Sequence, residues 1–107
     1  MDVIANFEKL LAAGQDSASL RFGLGNAYLK ADDPARGAEQ LRQATELDPD
    51  YSAAWKLYAK ALALSGQRDQ AIQAYERGID IAQRQGDLQA AKELAVFLRR
   101  LQRDIGA

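Results

Sequence analysis

A pattern of small and large residues recurs in this chain with a period of about 34 positions. The first copy starts with Leu24, Gly25 and Tyr28, where the glycine lets a second helix approach closely. After a turn it continues with small and large residues and then a proline, namely Gly37, Leu41, Ala44 and Pro49. The second copy has, at the same offsets, Tyr58, Ala59, Leu62, Ala71, Tyr75 and Gly78. One helix-turn-helix unit is therefore predicted twice.

The spacing of apolar residues predicts helices throughout and no strand. Val3, Phe7 and Leu11 share one face of a short first helix, which Gly14 ends. Leu47 is predicted to complete the buried stripe of the third helix. The last helix has apolar residues on one face, namely Leu94, Phe97, Leu98, Leu101 and Ile105. In chain order, helices are predicted over residues 2–13, 18–31, 34–47, 52–65, 68–85 and 86–105.

Composition limits the functions open to such a chain. The 107 residues include 14 basic and 15 acidic side chains, so the net charge is -1. A chain this close to neutral is not drawn as a whole to nucleic acid or to an anionic membrane. The absence of cysteine and histidine removes disulfides, thiolate metal sites and the commonest general base. We therefore expect no catalytic residue, no metal and no cofactor, and a cytoplasmic location.

The repeated offsets resemble the tetratricopeptide repeat (TPR), whose signature is Trp-x-x-Leu-Gly-x-x-Tyr, then Ala-x-x-x-Phe, then Pro. The second copy supplies the tryptophan as Trp55, and the first supplies the Leu-Gly-x-x-Tyr run and Pro49. Arg21 replaces the tryptophan of the first copy, and Gln83 replaces the proline of the second. The resemblance covers residues 18–85.

This resemblance implies an all-α fold, a right-handed α-solenoid of antiparallel helix pairs with about six helices. The chain is then a single domain, 1–107, divided as follows: an N-terminal half-repeat or cap helix (2–14), repeat 1 (18–51), repeat 2 (52–85) and a C-terminal capping helix (86–105). In this family the first helix of each unit lines the concave face. That face is where a partner is expected to bind.

The two first helices, 18–31 and 52–65, contain four basic residues and no acidic one, namely Arg21, Lys30, Lys56 and Lys60. Phe22, Asn26 and Lys30 share one face of the earlier helix, and Lys56, Leu57, Lys60 and Leu64 occupy the matching region of the later one. An asparagine beside an aromatic ring and lysines suits an extended acidic peptide. The competing interpretation is that the lysines are only solvated and that Phe22 packs against the N-terminal helix.

Some members of the family hold the C-terminal carboxylate of a partner in a clamp of lysine, asparagine and arginine. Asn26 matches the first asparagine of that clamp. Phe22 replaces its lysine and Leu57 replaces its second asparagine, so the clamp is not intact. Binding of that particular kind is not expected.

The sequence thus predicts a non-catalytic protein-interaction module that binds a short, acidic peptide segment through Phe22, Asn26, Lys30, Lys56, Leu57 and Lys60. The alternative is a self-assembling module that dimerises weakly or stacks through its end helices. Val96, which lies off the apolar stripe of the last helix, is expected to be exposed and would favour that alternative. Arg99, Arg100 and Arg103 are explained more simply by the dipole of the last helix than by a binding patch.

Overall fold

The computed structural model describes residues 2–106, and the side chains of residues 2–104. Six helices follow one another: α1 (Val3–Ala12), α2 (Ala18–Lys30), α3 (Pro34–Leu47), α4 (Ser52–Leu64), α5 (Arg68–Arg84) and α6 (Leu88–Gly106). No strand occurs in residues 2–106. The all-α prediction is confirmed. The predicted place of Ile105 on the apolar face of α6 lies outside the described side chains.

Local capping chemistry sets where most of these helices begin and end. The side chains of Asp2, Ser17, Asp33 and Asp87 each accept a hydrogen bond from a backbone N–H in the first turn that follows. The loops after α1, α4 and α5 contain glycines with φ near +80°, a conformation that side chains disfavour. Because these signals are local, the predicted helix limits agree with the observed ones to within one or two residues.

The helices form a stack in which each packs against the next and α2 also contacts α4. The core contains many alanines, and its largest fully buried side chains are Leu24, Leu41, Ile81 and Leu94. At the contact between α2 and α3, a Cβ added to Gly25 would lie 3.2 Å from the carbonyl oxygen of Gly37. Small residues therefore set how closely these helices approach.

Two burial predictions were wrong. Leu47 is 52% exposed, because it is the last residue of α3 and the helix ends before a neighbour can cover it. Val96 is half-buried rather than exposed. The division into repeats and end caps remains an interpretation.

Candidate functional site

A cavity of about 450 Å³ lies between α4 and α6, lined by Lys56, Leu57, Lys60, Tyr75 and Phe97. We call it the α4–α6 cavity. Its lysines and Leu57 come from α4, Tyr75 comes from α5, and Phe97 comes from α6. The cavity combines an apolar interior with a basic rim.

The packing of α4 explains why these side chains face the cavity. Ala59, Ala61 and Leu62 are buried in the core. Lys56 and Lys60, one helical turn apart, therefore share a face that points away from most of these contacts. Tyr75 and Phe97 stack on each other in the cavity lining, with ring centroids 6.2 Å apart and an interplanar angle of 22°. Burial raises the pKa of the Tyr75 hydroxyl, so the side chain is neutral at physiological pH.

Positive charge surrounds the ring of Phe97. The ammonium of Lys56 lies 5.6 Å from the ring centroid, and the guanidinium of Arg100 lies 6.0 Å from it. Lys56 also forms an ion pair with Glu93 of α6, with Nζ 3.2 Å from Oε2. Lys60 is exposed and belongs to none of the ion pairs found among residues 2–104. Glu93 thus matches only part of the positive charge around the cavity.

The structure brings three of the predicted site residues together, namely Lys56, Leu57 and Lys60. Phe22, Asn26 and Lys30 do not line the cavity. The Phe22 ring packs instead against Tyr51, just before α4, with centroids 5.0 Å apart. Gly23, the next residue, contacts the N-terminal helix α1. A Cβ added to Gly23 would lie 2.8 Å from Cζ of Phe7.

Two of the four basic residues on α2 and α4 form ion pairs with acidic residues elsewhere in the chain. Arg21 forms an ion pair with Asp16, with Nε 2.8 Å from Oδ1, and donates a hydrogen bond to Gln40 of α3. Its hydrogen bond lowers the pKa of the Asp16 carboxyl. Lys56 is matched by Glu93. Of the four predicted cations, only Lys30 and Lys60 are outside every ion pair described for residues 2–104.

Sequence reasoning missed Tyr75 and Phe97, which line the cavity, and Glu93, which pairs with Lys56 beside it. Phe97 was assigned to the apolar face of α6, and it is 37% exposed. The Lys56–Glu93 pair joins residues 37 positions apart. Its formation depends on how α6 docks against α4, for which no local pattern gives a signal.

A second cavity, of about 510 Å³, lies between α3 and α5 over the aromatic side chains of α4. Trp55 and Tyr58 form part of its lining, with ring centroids 6.0 Å apart. The Trp55 indole donates a hydrogen bond to the carbonyl oxygen of Pro49 at 2.8 Å. Both aromatic residues are half-buried. This cavity is the main competing location for a ligand.

Neither a metal site nor a membrane span is found in the part of the chain that the structure describes. No group of three or more potential metal-ligating residues of the Asp, Glu, His or Cys type comes together there. None of the helices described is both long and apolar enough to cross a bilayer.

Comparison with known proteins gives concordant matches. The family model for the tetratricopeptide repeat matches residues 22–87. A TPR repeat-containing protein of Pseudomonas aeruginosa is 52% identical over 101 residues, which cover 94% of this chain and 96% of that protein. The solution structure of a protein from Bordetella parapertussis has a TM-score of 0.83 at 43% identity, covering 97% of this chain and 90% of that one.

A third relative is a subunit of the anaphase-promoting complex of Saccharomyces cerevisiae. It is 34% identical over 59 residues, which are 55% of this chain and 7% of that protein. The similarity is therefore confined to a short part of the larger protein.

Proposed function

This chain belongs to the tetratricopeptide repeat family, and from that membership we propose that it is a non-catalytic module that binds a short, extended, acidic segment of a partner protein. TPR domains generally mediate protein–protein interaction. The segment lies across α2 and α4, the first helices of the two repeats. It contacts Phe22, Asn26, Lys30, Lys56, Leu57 and Lys60. The cytoplasm is its expected location, since a chain without cysteine needs no oxidising compartment.

The α4–α6 cavity is the observation that supports this proposal. An apolar interior lined by Leu57 and Phe97 suits an apolar side chain, and Lys56 and Lys60 at the rim suit carboxylates. Catalysis by this site is not supported, because its lining offers two lysines and a tyrosine, and the Glu93 carboxylate beside it is paired with Lys56 rather than with a nucleophile.

The remaining predicted residues extend the site along α2, which contacts α4. Asn26 is half-buried, and its amide group would bond the backbone of the peptide. Lys30 is exposed and carries a positive charge for a second carboxylate. Phe22 contributes the apolar edge that it forms with Tyr51. A site of this small extent favours weak to moderate affinity.

The proposal is tested by panning a displayed library of random peptides against the wild type and a Lys30→Glu/Lys60→Glu variant. Lys9→Glu/Arg68→Glu is the matched control, because it makes the same change in charge at exposed positions on α1 and α5. We expect the wild type and the control to enrich acidic peptides, and the groove variant to lose them. Equal enrichment by all three proteins, or none by any, contradicts the proposal.

A second candidate function, weak self-association through the end helices, is favoured by exposed apolar side chains on α1. Val3 is 55% exposed and Leu10 is 39% exposed, and they lie seven positions apart on one helix face. If this function holds, light scattering will show a mass that rises with concentration for the wild type and stays monomeric for a Val3→Ser/Leu10→Ser variant. A wild type that remains a strict monomer removes this candidate.

A further inference from the structure

We infer that the α4–α6 cavity takes one large apolar side chain of the partner segment, and that the Glu93 carboxylate occupies the place of an acidic group beside that side chain until the segment binds. This inference rests on the proposed function. It specifies the ligand as an apolar residue next to a carboxylate, and it makes Glu93 an internal competitor of that ligand.

The shape and lining of the cavity support the first half of the inference. Its volume of about 450 Å³ falls in the range of ordinary ligand sites, and it is large enough for a leucine or phenylalanine side chain with adjoining backbone. Leu57, Tyr75 and Phe97 present apolar surface to it. The 37% exposure of Phe97 is notable because the Tyr75 ring on which it stacks is only 6% exposed. An apolar side chain in the cavity would remove the open edge of Phe97 from water.

Charge around the cavity specifies what accompanies the apolar side chain. Lys56, Lys60 and Arg100 bring three positive charges to the neighbourhood of Phe97, and Glu93 brings one negative charge. This excess favours an acidic segment over a neutral or basic one. A purely apolar partner would leave the excess charge unmatched at the edge of the contact.

The geometry of Glu93 supports its role as a competitor. Its carboxylate lies 3.2 Å from the Lys56 ammonium, and the same ammonium lies 5.6 Å from the Phe97 ring. A carboxylate of the partner that reaches Lys56 would therefore compete with Glu93 for it. The side chains of Lys56 and Glu93 are 42% and 47% exposed, so their pair is a weak surface contact that a ligand can replace.

The experiment uses fluorescein-labelled acidic peptides that are identical except at one central position, which is leucine, phenylalanine or serine. Binding to the full chain is measured by fluorescence anisotropy. We expect the leucine and phenylalanine peptides to bind about tenfold more tightly than the serine peptide, since only they fill the cavity. Phe97→Ala should reduce this preference, and its thermal unfolding is recorded to establish that it folds.

Glu93→Gln is expected to strengthen peptide binding, whereas Phe97→Ala is expected to weaken the preference for an apolar central residue. It removes the competing charge, so we expect it to bind the leucine peptide about threefold more tightly than the wild type. Glu76→Gln, at an exposed position of α5, makes the same change in net charge and should have a smaller effect. This comparison does not depend on whether Phe97→Ala folds.

The possible failures are distinguishable. If the peptides bind equally whatever their central residue, and Glu93→Gln behaves as Glu76→Gln does, the inference is overturned. If the acidic peptides bind whatever their central residue, but binding is lost in the Lys30→Glu/Lys60→Glu variant, the proposed function still stands. If the wild type binds none of the acidic peptides, both the proposed function and the inference fail.

Discussion

Gly25 shows how a single residue sets the distance between two helices. A Cβ at this position would lie 2.5 Å from Cγ of Leu41 and 3.2 Å from the backbone oxygen of Gly37. Gly25→Ala gains about 1 kcal/mol of helix propensity. Overpacking against a buried leucine and a backbone atom costs about 1–3 kcal/mol, and the tightness of this contact places the cost at the upper end. We expect a net loss of stability of about 1–2 kcal/mol, measured by urea unfolding.

Gly23→Ala is the matched control for Gly25→Ala, because both glycines lie inside α2. The atom that a new Cβ would meet, Cζ of Phe7 at 2.8 Å, is the far end of a side chain on α1 and can move. We therefore expect Gly23→Ala to stay within about 1 kcal/mol of the wild type. If Gly25→Ala is as stable as Gly23→Ala, close packing between α2 and α3 does not limit this fold.

Tyr28 makes the stability of the folded state depend on pH in the alkaline range. Its hydroxyl donates a hydrogen bond to the Glu8 carboxylate at 2.8 Å. This bond and then burial raise the pKa of Tyr28 above its ordinary value of 10.0. The folded state therefore favours the neutral phenol. The resulting stability is fully present below the unfolded pKa and is lost as the pH rises through the higher folded pKa.

Tyr28→Phe tests this dependence. Because phenylalanine cannot make the bond to Glu8, we expect the variant to be less stable than the wild type at neutral pH by about 1.5 kcal/mol. Because phenylalanine cannot ionise, the difference should shrink as the pH rises past the tyrosine pKa. Urea unfolding at a series of pH values measures this, and a difference that stays constant into the alkaline range would show that the hydroxyl does not act in this way.

Among the helices, α1 has the weakest attachment to the stack. No residue of α1 is fully buried, whereas α5 buries several residues between α4 and α6. We expect native-state hydrogen exchange to show α1 amides opening locally, while the central α5 amides exchange only through global unfolding. Phe7→Ala should speed exchange in α1 further because it removes the contact over Gly23. Equal protection of α1 and α5 would contradict this order.

Helix limits were predictable because the signals that set them are local. Ser17 and Pro34 begin helices, and Gly14 follows the end of one, and each acts through its own backbone or nearest turn. Burial at a helix end was less predictable. Leu47 has helical spacing with buried residues, yet no following turn or neighbouring helix covers it.

The candidate site was only partly predictable. Residues of α4 could be placed on one face from their spacing, and the structure does bring Lys56, Leu57 and Lys60 together. The ion pair with Glu93 and the stacking of Tyr75 on Phe97 depend on the docking of α6. Those contacts join distant parts of the chain, so the spacing of residues along the sequence does not predict them.

The whole stack measures 43 × 31 × 20 Å, and two of its cavities are the main candidates for a ligand site. Around the α4–α6 cavity, Lys56, Lys60 and Arg100 outweigh Glu93 by two positive charges, whereas around the cavity between α3 and α5, Arg42 and Arg77 outweigh Glu46 by one. An acidic segment is therefore expected to bind more tightly at the α4–α6 cavity. We therefore expect recognition to occur at the α4–α6 cavity.

An NMR titration of isotope-labelled protein with the acidic leucine peptide distinguishes binding at the two cavities. We predict that the largest amide shifts lie on α4 and α6 around Lys56, Lys60 and Phe97, that smaller shifts occur around Asn26 and Lys30 on α2, and that the Trp55 indole signal changes little. Shifts clustered instead around Trp55, Gln70 and Gln73 would place recognition in the cavity between α3 and α5. That result, or the absence of any saturable shift, would rule out recognition of the acidic peptide at the α4–α6 cavity.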